Sequence, residues 1–220
     1  MNNSATLNIF RDLREIFKTK CGGNLNKFKD YLSENFNINK KDIMKKRHFS
    51  TIEKYILSTY WCPNKSAYIE GEYRFSLKRS WDPLLPSILY IGKNPSTADA
   101  EDDDLTIRVL IGITKKLGYG GFEIYNLNPY RSKYTDVAIK NCSEEYKIKN
   151  IKFIEDNLHK HNKVVFMYGD FAKQLEPEWL KNMIEEPYCF EHTNYNYPRH
   201  PQGLEYKNKS KTELITKFRK

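Results

Sequence analysis

Four short apolar runs, each followed by a polar segment, most constrain what this chain can fold into. They span residues 88–91, 122–127, 164–168 and 188–190. Runs of this length, rich in β-branched and aromatic residues, predict buried strands. Helical spacing separates them, in one stripe formed by Ile107, Leu110, Ile111, Thr114 and Leu117 and another formed by Ile148, Ile151, Ile154 and Leu158. Strands alternating with helices predict a three-layer α/β/α domain around a central, mostly parallel four-stranded sheet.

Two further segments extend this organisation. Residues 68–77 alternate in polarity around Gly71, which predicts a strand pair or a bent edge strand. Near the N-terminus, helical spacing predicts short helices, the first carrying apolar residues at Leu7, Phe10, Leu13, Ile16 and Phe17. Cys21-Gly22-Gly23 ends that pattern, and a second helix is predicted from Leu25 to Phe36. We therefore expect a basic helical extension at residues 1–60 and the α/β domain at residues 61–220.

The formal net charge of +9 is unevenly distributed. Residues 1–50 contain 11 Lys and Arg against 5 Asp and Glu, and residues 51–220 contain 26 against 23. A basic extension favours a polyanionic partner, most often nucleic acid. A Lys- and Asn-rich composition on solvated faces would produce the same excess. The cluster Lys45, Lys46 and Arg47 is accordingly either a contact for a phosphate backbone or part of a solvated cap.

Cysteine usage and hydropathy restrict the remaining classes of protein. The four cysteines lie far apart without a CxxC pair, which removes the usual zinc framework and favours a reduced, cytoplasmic chain. No apolar run approaches the roughly 18 residues of a membrane span. No HExxH or comparable ligand spacing occurs, so neither a metal nor a cofactor is implied, and no feature indicates a protein partner.

Ligands of open α/β sheets bind beyond the carboxyl ends of the strands, and polar loops follow all four predicted strands. The loop after the first strand is the most informative. Gly92 permits a close backbone approach, Pro95 stiffens the turn, and Asn94 offers both an amide and a carbonyl for a water or a substrate. Asn-Pro is also a common turn initiator. The phosphate-binding pattern GxxxxGK[ST] is absent.

An ordered series of motifs within residues 68–204 carries a family resemblance. The motifs are residues 73–77, Arg79, Trp81, residues 91–99, residues 106–108, residues 118–121, Asn126-Leu127, Tyr130-Arg131 and Arg199-His200-Pro201. Together they resemble the DUF1643 family, which has no assigned function.

A second resemblance connects the strand ends. Gly-x-Asn-Pro at residues 92–95 resembles the first motif of the uracil-DNA glycosylase superfamily, in the mismatch-type branch with Asn at the water-activating position. Asn126 is similar to its base-recognition Asn. His200-Pro201 with Leu204 resembles its final motif. The resemblance implies a uracil-DNA-glycosylase-like fold for residues 61–220.

This second resemblance implies a metal-independent DNA glycosylase, which hydrolyses the N-glycosidic bond of a modified or non-standard base and leaves an abasic site, in repair or in defence against phage DNA. Asn94 would orient the water, His200 would donate a hydrogen bond to the leaving base, and Asn126 would read the base. The base would leave the stack of double-stranded DNA, with Leu204 filling the gap. The candidates for stacking on the base are Tyr130, Tyr119 and Trp81, and those for phosphates are Lys93, Arg131 and Arg199.

An asparagine cannot act as a general base as a carboxylate can, so Asp99 is a further catalytic candidate. A structural role for Asp99, as an N-terminal charge near a helix, is an equally good interpretation. Two other functions stay open. One is a noncatalytic reader of a nucleic-acid end or a modified base, and the other is a hydrolase of free nucleosides or nucleotides in which Lys93 holds a phosphate.

Overall fold

A computed structural model describes residues 13, 15–36, 40–49, 52, 64–96, 98–170, 175, 178–202, 204, 206 and 209–218. The chain divides into two compact units, Met1–Cys62 and Pro63–Lys220. Leu7 and Phe10 of the expected first helix lie outside the described residues.

The first unit contains helices α1 (Leu25–Phe36) and α2 (Lys40–Met44). Helix α1 confirms the predicted second helix, and its Phe28 and Leu32, one turn apart, are fully buried in a small apolar cluster. Gly22 and Gly23 both have positive φ, which a glycine adopts without strain, so the chain can turn before α1. The cluster Lys45, Lys46 and Arg47 directly follows α2.

The second unit is built on a mixed seven-stranded sheet of order β1-β2-β4-β3-β5-β6-β7. Its strands are β1 (Asn64–Glu70), β2 (Tyr73–Ser80), β3 (Ser87–Gly92), β4 (Gly121–Asn126), β5 (Val164–Phe166), β6 (Tyr188–Cys189) and β7 (Thr216–Lys217). The four predicted apolar runs form the parallel centre, β4-β3-β5-β6. The prediction of a four-stranded sheet is wrong, because antiparallel β1, β2 and β7 extend this centre.

The helices of this unit are α3 (Leu105–Leu117), α4 (Thr135–Asn141), α5 (Glu144–Leu158), α6 (Glu178–Met183) and α7 (Lys211–Leu214). Helices α3 and α5 pack against opposite faces of the sheet. Successive strand residues face opposite sides, so Tyr90 packs with α3 while Leu89 and Ile91 pack with α5. Ile154 and Leu158 confirm the predicted stripe on α5, whereas Ile148 is 61% exposed. Among the described residues, no helix is both long and apolar enough to cross a bilayer.

Two buried arginines of β2 hold the segment that connects β3 to α3. The Nε of Arg79, which is 0% exposed, donates to Asp103 Oδ1 at 2.7 Å, and its Nη2 donates to the carbonyl of Asp99 at 2.6 Å. Arg74 Nη1 donates to the carbonyl of Ala98, also at 2.6 Å. Lys65 Nζ adds a second cation to Asp103 at 3.1 Å. Strand β2 therefore fixes residues 98–103 by charge and by backbone hydrogen bonds.

The contacts of Arg74, Arg79 and Lys65 with residues 98–103 form a clamp, and this clamp yields a stability prediction. Asp103→Asn keeps an acceptor for Arg79 but removes the charge that compensates it, and breaking a buried ion pair costs about 3 kcal/mol or more. We expect the free energy of unfolding, measured by urea denaturation at neutral pH, to fall by about 3 kcal/mol. Asp102→Asn is the matched control, since it removes the same charge from an exposed neighbouring residue. Equal losses in the two variants would contradict the assignment of the clamp.

Candidate functional site

A cavity of about 520 Å³ opens at the carboxyl edge of the parallel strands. It lies at the point where the strand order reverses. The chain continues from β3 to β4 on one side and from β5 to β6 on the other, and β3 and β5 are neighbours. Open α/β sheets bind their ligands at such a point. Strands β2, β3 and β4, the start of α3, the segment before α4, Met167 directly after β5, and His200 with Gln202 contribute to the lining.

Four of the residues selected from the sequence line this cavity together. They are Lys93, Asn94, Asn126 and His200. Gly92 and Asn126 are register partners at the ends of β3 and β4, so Asn94 and Asn126 project from adjacent strand ends. The His200 segment is tied to the end of β5, because Gly169 N donates to the carbonyl of Pro198 at 2.8 Å.

The side chain of Asn94 is oriented by its neighbours. Its Nδ2 donates to the carbonyl of Ser132 at 2.7 Å and to that of Pro95 at 3.3 Å. Because carbonyl groups only accept, these contacts fix which end of the amide is the nitrogen. The Oδ1 accepts a hydrogen bond from Thr135 Oγ1 at 3.3 Å and retains a second lone pair. Asn94 can therefore present an acceptor, rather than a donor, to a water in the cavity.

The surroundings of His200 favour a neutral ring with a defined tautomer. Burial lowers the pKa of His200, the nearby Lys93 cation lowers it further, and Asp104 partly opposes both effects. The backbone N–H of Gln202 donates to His200 Nδ1 at 3.3 Å, so a neutral ring carries its proton on Nε2. Burial also lowers the pKa of Lys93, with Asp170 acting in the opposite direction. His200 is thus suited to donate a hydrogen bond without carrying a charge.

Asn126 is nearly fully buried, and its Nδ2 has no hydrogen-bond partner among the described residues. Its backbone carbonyl is held by Asn150 Nδ2 at 2.9 Å. A Cβ at Gly92 would lie 2.7 Å from Asn126 Oδ1, so only glycine leaves room for this amide. An unused buried donor beside a cavity is costly unless a ligand or a water accepts from it.

The polar lining residues that sequence reasoning missed include Arg74, Asp104 and Thr135. Asp104 caps α3, since its Oδ1 accepts from Ile107 N at 3.0 Å, and it brings a carboxylate to the cavity. The sequence shows that Asp104 lies just before α3, but that position by itself indicates only an acidic residue at the start of a helix. Arg74 lies on an antiparallel strand, which a search restricted to loops after parallel strands does not reach.

Asp99 does not line the cavity. Its Oδ1 accepts from the backbone N–H groups of Glu101 and Asp102, both at 2.9 Å, and these bonds lower the pKa of Asp99. Its carboxylate therefore stabilises a turn in the clamped segment, and Asp104 is the carboxylate that reaches the cavity.

The remaining candidates also lie outside the lining. Tyr130 packs edge-on against Tyr73, with ring centroids 5.5 Å apart, and Arg131 is half-buried beside it. Arg199 Nη1 pairs with Glu191 Oε2 at 2.7 Å. Leu204 packs against the apolar cluster beneath α3 instead of projecting outward. Among the described residues, no group of three or more His, Cys, Asp or Glu side chains is arranged to hold a metal ion.

The environment of His200 generates a pH prediction. Because folding lowers its pKa below the unfolded value of about 6.5, the unfolded chain binds more protons in acid, and stability falls as the pH drops through that value. His200→Gln removes this term but retains a polar side chain. We expect denaturation series between about pH 8 and pH 5 to show a shallower loss of stability in the variant than in the wild type. Parallel curves would show that burial does not perturb His200.

Comparison with known proteins identifies one family. A family model described as "Protein of unknown function (DUF1643)" matches residues 74–202, which is more than half of the chain and includes Arg74, Asn94, Asn126 and His200. No curated protein matches the chain. No solved structure matches it either. The cavity at the carboxyl edge thus lies within the matched region, and the chain belongs to the DUF1643 family.

Proposed function

We propose that this protein is a metal-independent DNA glycosylase that removes a modified or non-standard base and leaves an abasic site. One observation carries the proposal, namely that Asn94, Asn126 and His200 come from separate segments of the chain and line one cavity. The uracil-DNA-glycosylase-like character of the fold belongs to the proposal, and the parallel centre of the sheet supports it. The substrate is double-stranded DNA from which one base rotates out of the stack.

The reaction replaces the bond between C1′ of the sugar and the base nitrogen with a bond between C1′ and a water oxygen. The electron pair of the broken bond leaves with the base, and the proton lost by the water ends on the released base. Positive charge develops on the sugar and negative charge on the base. A catalyst must therefore position the water on one side and stabilise the departing base on the other.

Asn94 positions the water in this proposal. Its Nδ2 is held by the carbonyls of Ser132 and Pro95, and its Oδ1, which accepts from Thr135, keeps a second lone pair that can accept from a water. Asparagine does not take up the proton. Asp104, a carboxylate of the same lining, replaces Asp99 as the candidate acceptor for that proton.

His200 acts on the departing base. A neutral imidazole with its proton on Nε2 donates a hydrogen bond as negative charge develops, and such a preorganised donor contributes about 3 kcal/mol to transition-state stabilisation. Asn126, at the end of β4, reads an edge of the base with its Nδ2, which has no hydrogen-bond partner among the described residues. Together, these two residues would contact the base while Asn94 holds the water.

The distribution of charge supports a nucleic-acid substrate. Three cationic side chains, those of Arg74, Lys93 and Lys133, line the cavity with one carboxylate, that of Asp104. Lys133 is exposed and suits a backbone phosphate, whereas Arg199 is already paired with Glu191. The basic residues Lys45, Lys46 and Arg47 would add affinity that is independent of sequence. Repair and defence against phage DNA are both compatible with this chemistry.

The decisive test is base release by Asn94→Ala. Purified protein is incubated with DNA from several sources, including heavily modified phage DNA; mass spectrometry detects free base and alkali reveals abasic sites. We expect the wild type to release one base and Asn94→Ala to do so at least about 100-fold more slowly, with unchanged DNA binding. Asn162→Ala is the control, because it removes an exposed asparagine at a different cavity.

Each other outcome selects a different function. Equal turnover by Asn94→Ala and the wild type would refute the assigned role of Asn94. DNA binding without release of any base would favour a noncatalytic reader. Turnover confined to free nucleosides or nucleotides would favour the small-molecule hydrolase.

A further inference from the structure

Arg74 is a buried cation without a carboxylate partner among the described residues. It is 3% exposed, and the only hydrogen bond from its side chain to a described residue runs from Nη1 to the carbonyl of Ala98. Its Nε is buried without a partner in the same part of the chain. Arg79, five residues along the same strand, is equally buried but ion-paired with Asp103. Among the described residues, Arg79 thus has a carboxylate in direct contact and Arg74 does not.

Burying an unpaired charge is costly, and proteins compensate nearly every such charge with a partner or a ligand. Burial, together with the neighbouring cations Arg131 and Arg79, lowers the pKa of Arg74 to about 10, while Asp104 and Asp99 act in the opposite direction. Because Arg74 lines the cavity, a ligand can supply the missing anion.

A second unused donor lines the same cavity. Asn126 is also 3% exposed, and its Nδ2 has no partner within the described part of the chain. Arg74 and Asn126 thus offer N–H groups from two strands, β2 and β4, that pair with each other in the sheet. Two donors, one of them charged, match an oxygen that carries negative charge.

We propose that Arg74 and Asn126 form an oxyanion subsite in the cavity, which binds an acidic oxygen group carried by the base of the substrate. Backbone phosphates stay outside when a base enters a pocket, whereas Arg74 is buried, so the group that reaches it belongs to the base. The subsite rests on Arg74 and Asn126 alone. Its assignment to a base rests on the proposed glycosylase function.

Titration calorimetry with small probes tests the subsite without requiring catalysis. The probes are inorganic phosphate, deoxycytidine 5′-monophosphate, deoxycytidine and its 5-carboxylated derivative. We expect the wild type to bind the carboxylated nucleoside at least about tenfold more tightly than deoxycytidine, which corresponds to about 1.4 kcal/mol. Arg74→Met removes the buried charge and should abolish this difference. Lys78→Met removes an equal charge from an exposed residue of the same strand, outside the cavity lining, and should change it less than about threefold, because water screens that charge.

Two further variants keep the test informative if Arg74→Met does not fold. Arg74→Lys retains the charge and should retain most of the discrimination. Asn126→Asp is nearly isosteric and places a carboxylate at the subsite, so it should reverse the preference toward the uncharged nucleoside. If Arg74→Met does not fold, these two variants carry the comparison.

The outcomes separate the subsite from the function. Equal binding of the two nucleosides by the wild type, with no binding of phosphate or of the monophosphate, would overturn the subsite, even if the protein releases bases from DNA. Tight binding of phosphate or of the monophosphate, without preference for the carboxylated base, would overturn the assignment to a base. Preference for the carboxylated nucleoside that Arg74→Met abolishes supports the subsite, even where no DNA base is released and the glycosylase function fails.

Discussion

The buried ion pair between Arg79 and Asp103 sets the geometry on which the rest of the second unit depends. The chain that leaves β3 runs through a long polar segment before α3, and no strand pairing holds the described residues of that segment. Arg79 fixes Asp103 by charge, and Asp104, the next residue, caps α3 and lines the cavity. This one interaction therefore positions both the start of α3 and one side of the cavity. Such a pair is costly to bury, and its value lies in this positional control.

The sequence was sufficient to predict the α/β class, because strands buried on both faces require continuous apolar runs, and helical stripes between such runs indicate crossover connections. It did not predict β7, whose two exposed residues, Thr216 and Lys217, carry no apolar signal. Ile148 matched the helical period but is exposed to solvent. Periodicity predicts which residues share one face of a helix, but it does not predict what packs against that face. Nor did the pattern of β2 indicate that two of its arginines are buried, because an arginine in an alternating segment resembles a solvent-facing residue.

The predicted site residues divide into those that line the cavity and those that do not. Asn94, Asn126, Lys93 and His200 were selected because they follow strands, and parallel strands bring their carboxyl ends to one edge. Asp99 and Arg199 also follow strands but do not line the cavity, because Asp99 accepts from backbone amides of its own turn and Arg199 pairs with Glu191. Arg74 was not selected because it belongs to an antiparallel neighbour of that edge. Its importance depends on how the groups around it pack in three dimensions, which a linear pattern does not encode.

The unequal lengths of the parallel strands have a consequence for motion. β3 and β4 are six residues long, whereas β5 has three and β6 only two. Local opening costs least where few backbone hydrogen bonds and few apolar contacts must break. Amide hydrogens on the β5–β6 side should therefore exchange with solvent earlier than those of β3 and β4. Asn94 and Asn126 stand on the slowly exchanging side and His200 on the other, so the cavity can widen at His200 while its asparagines stay in register.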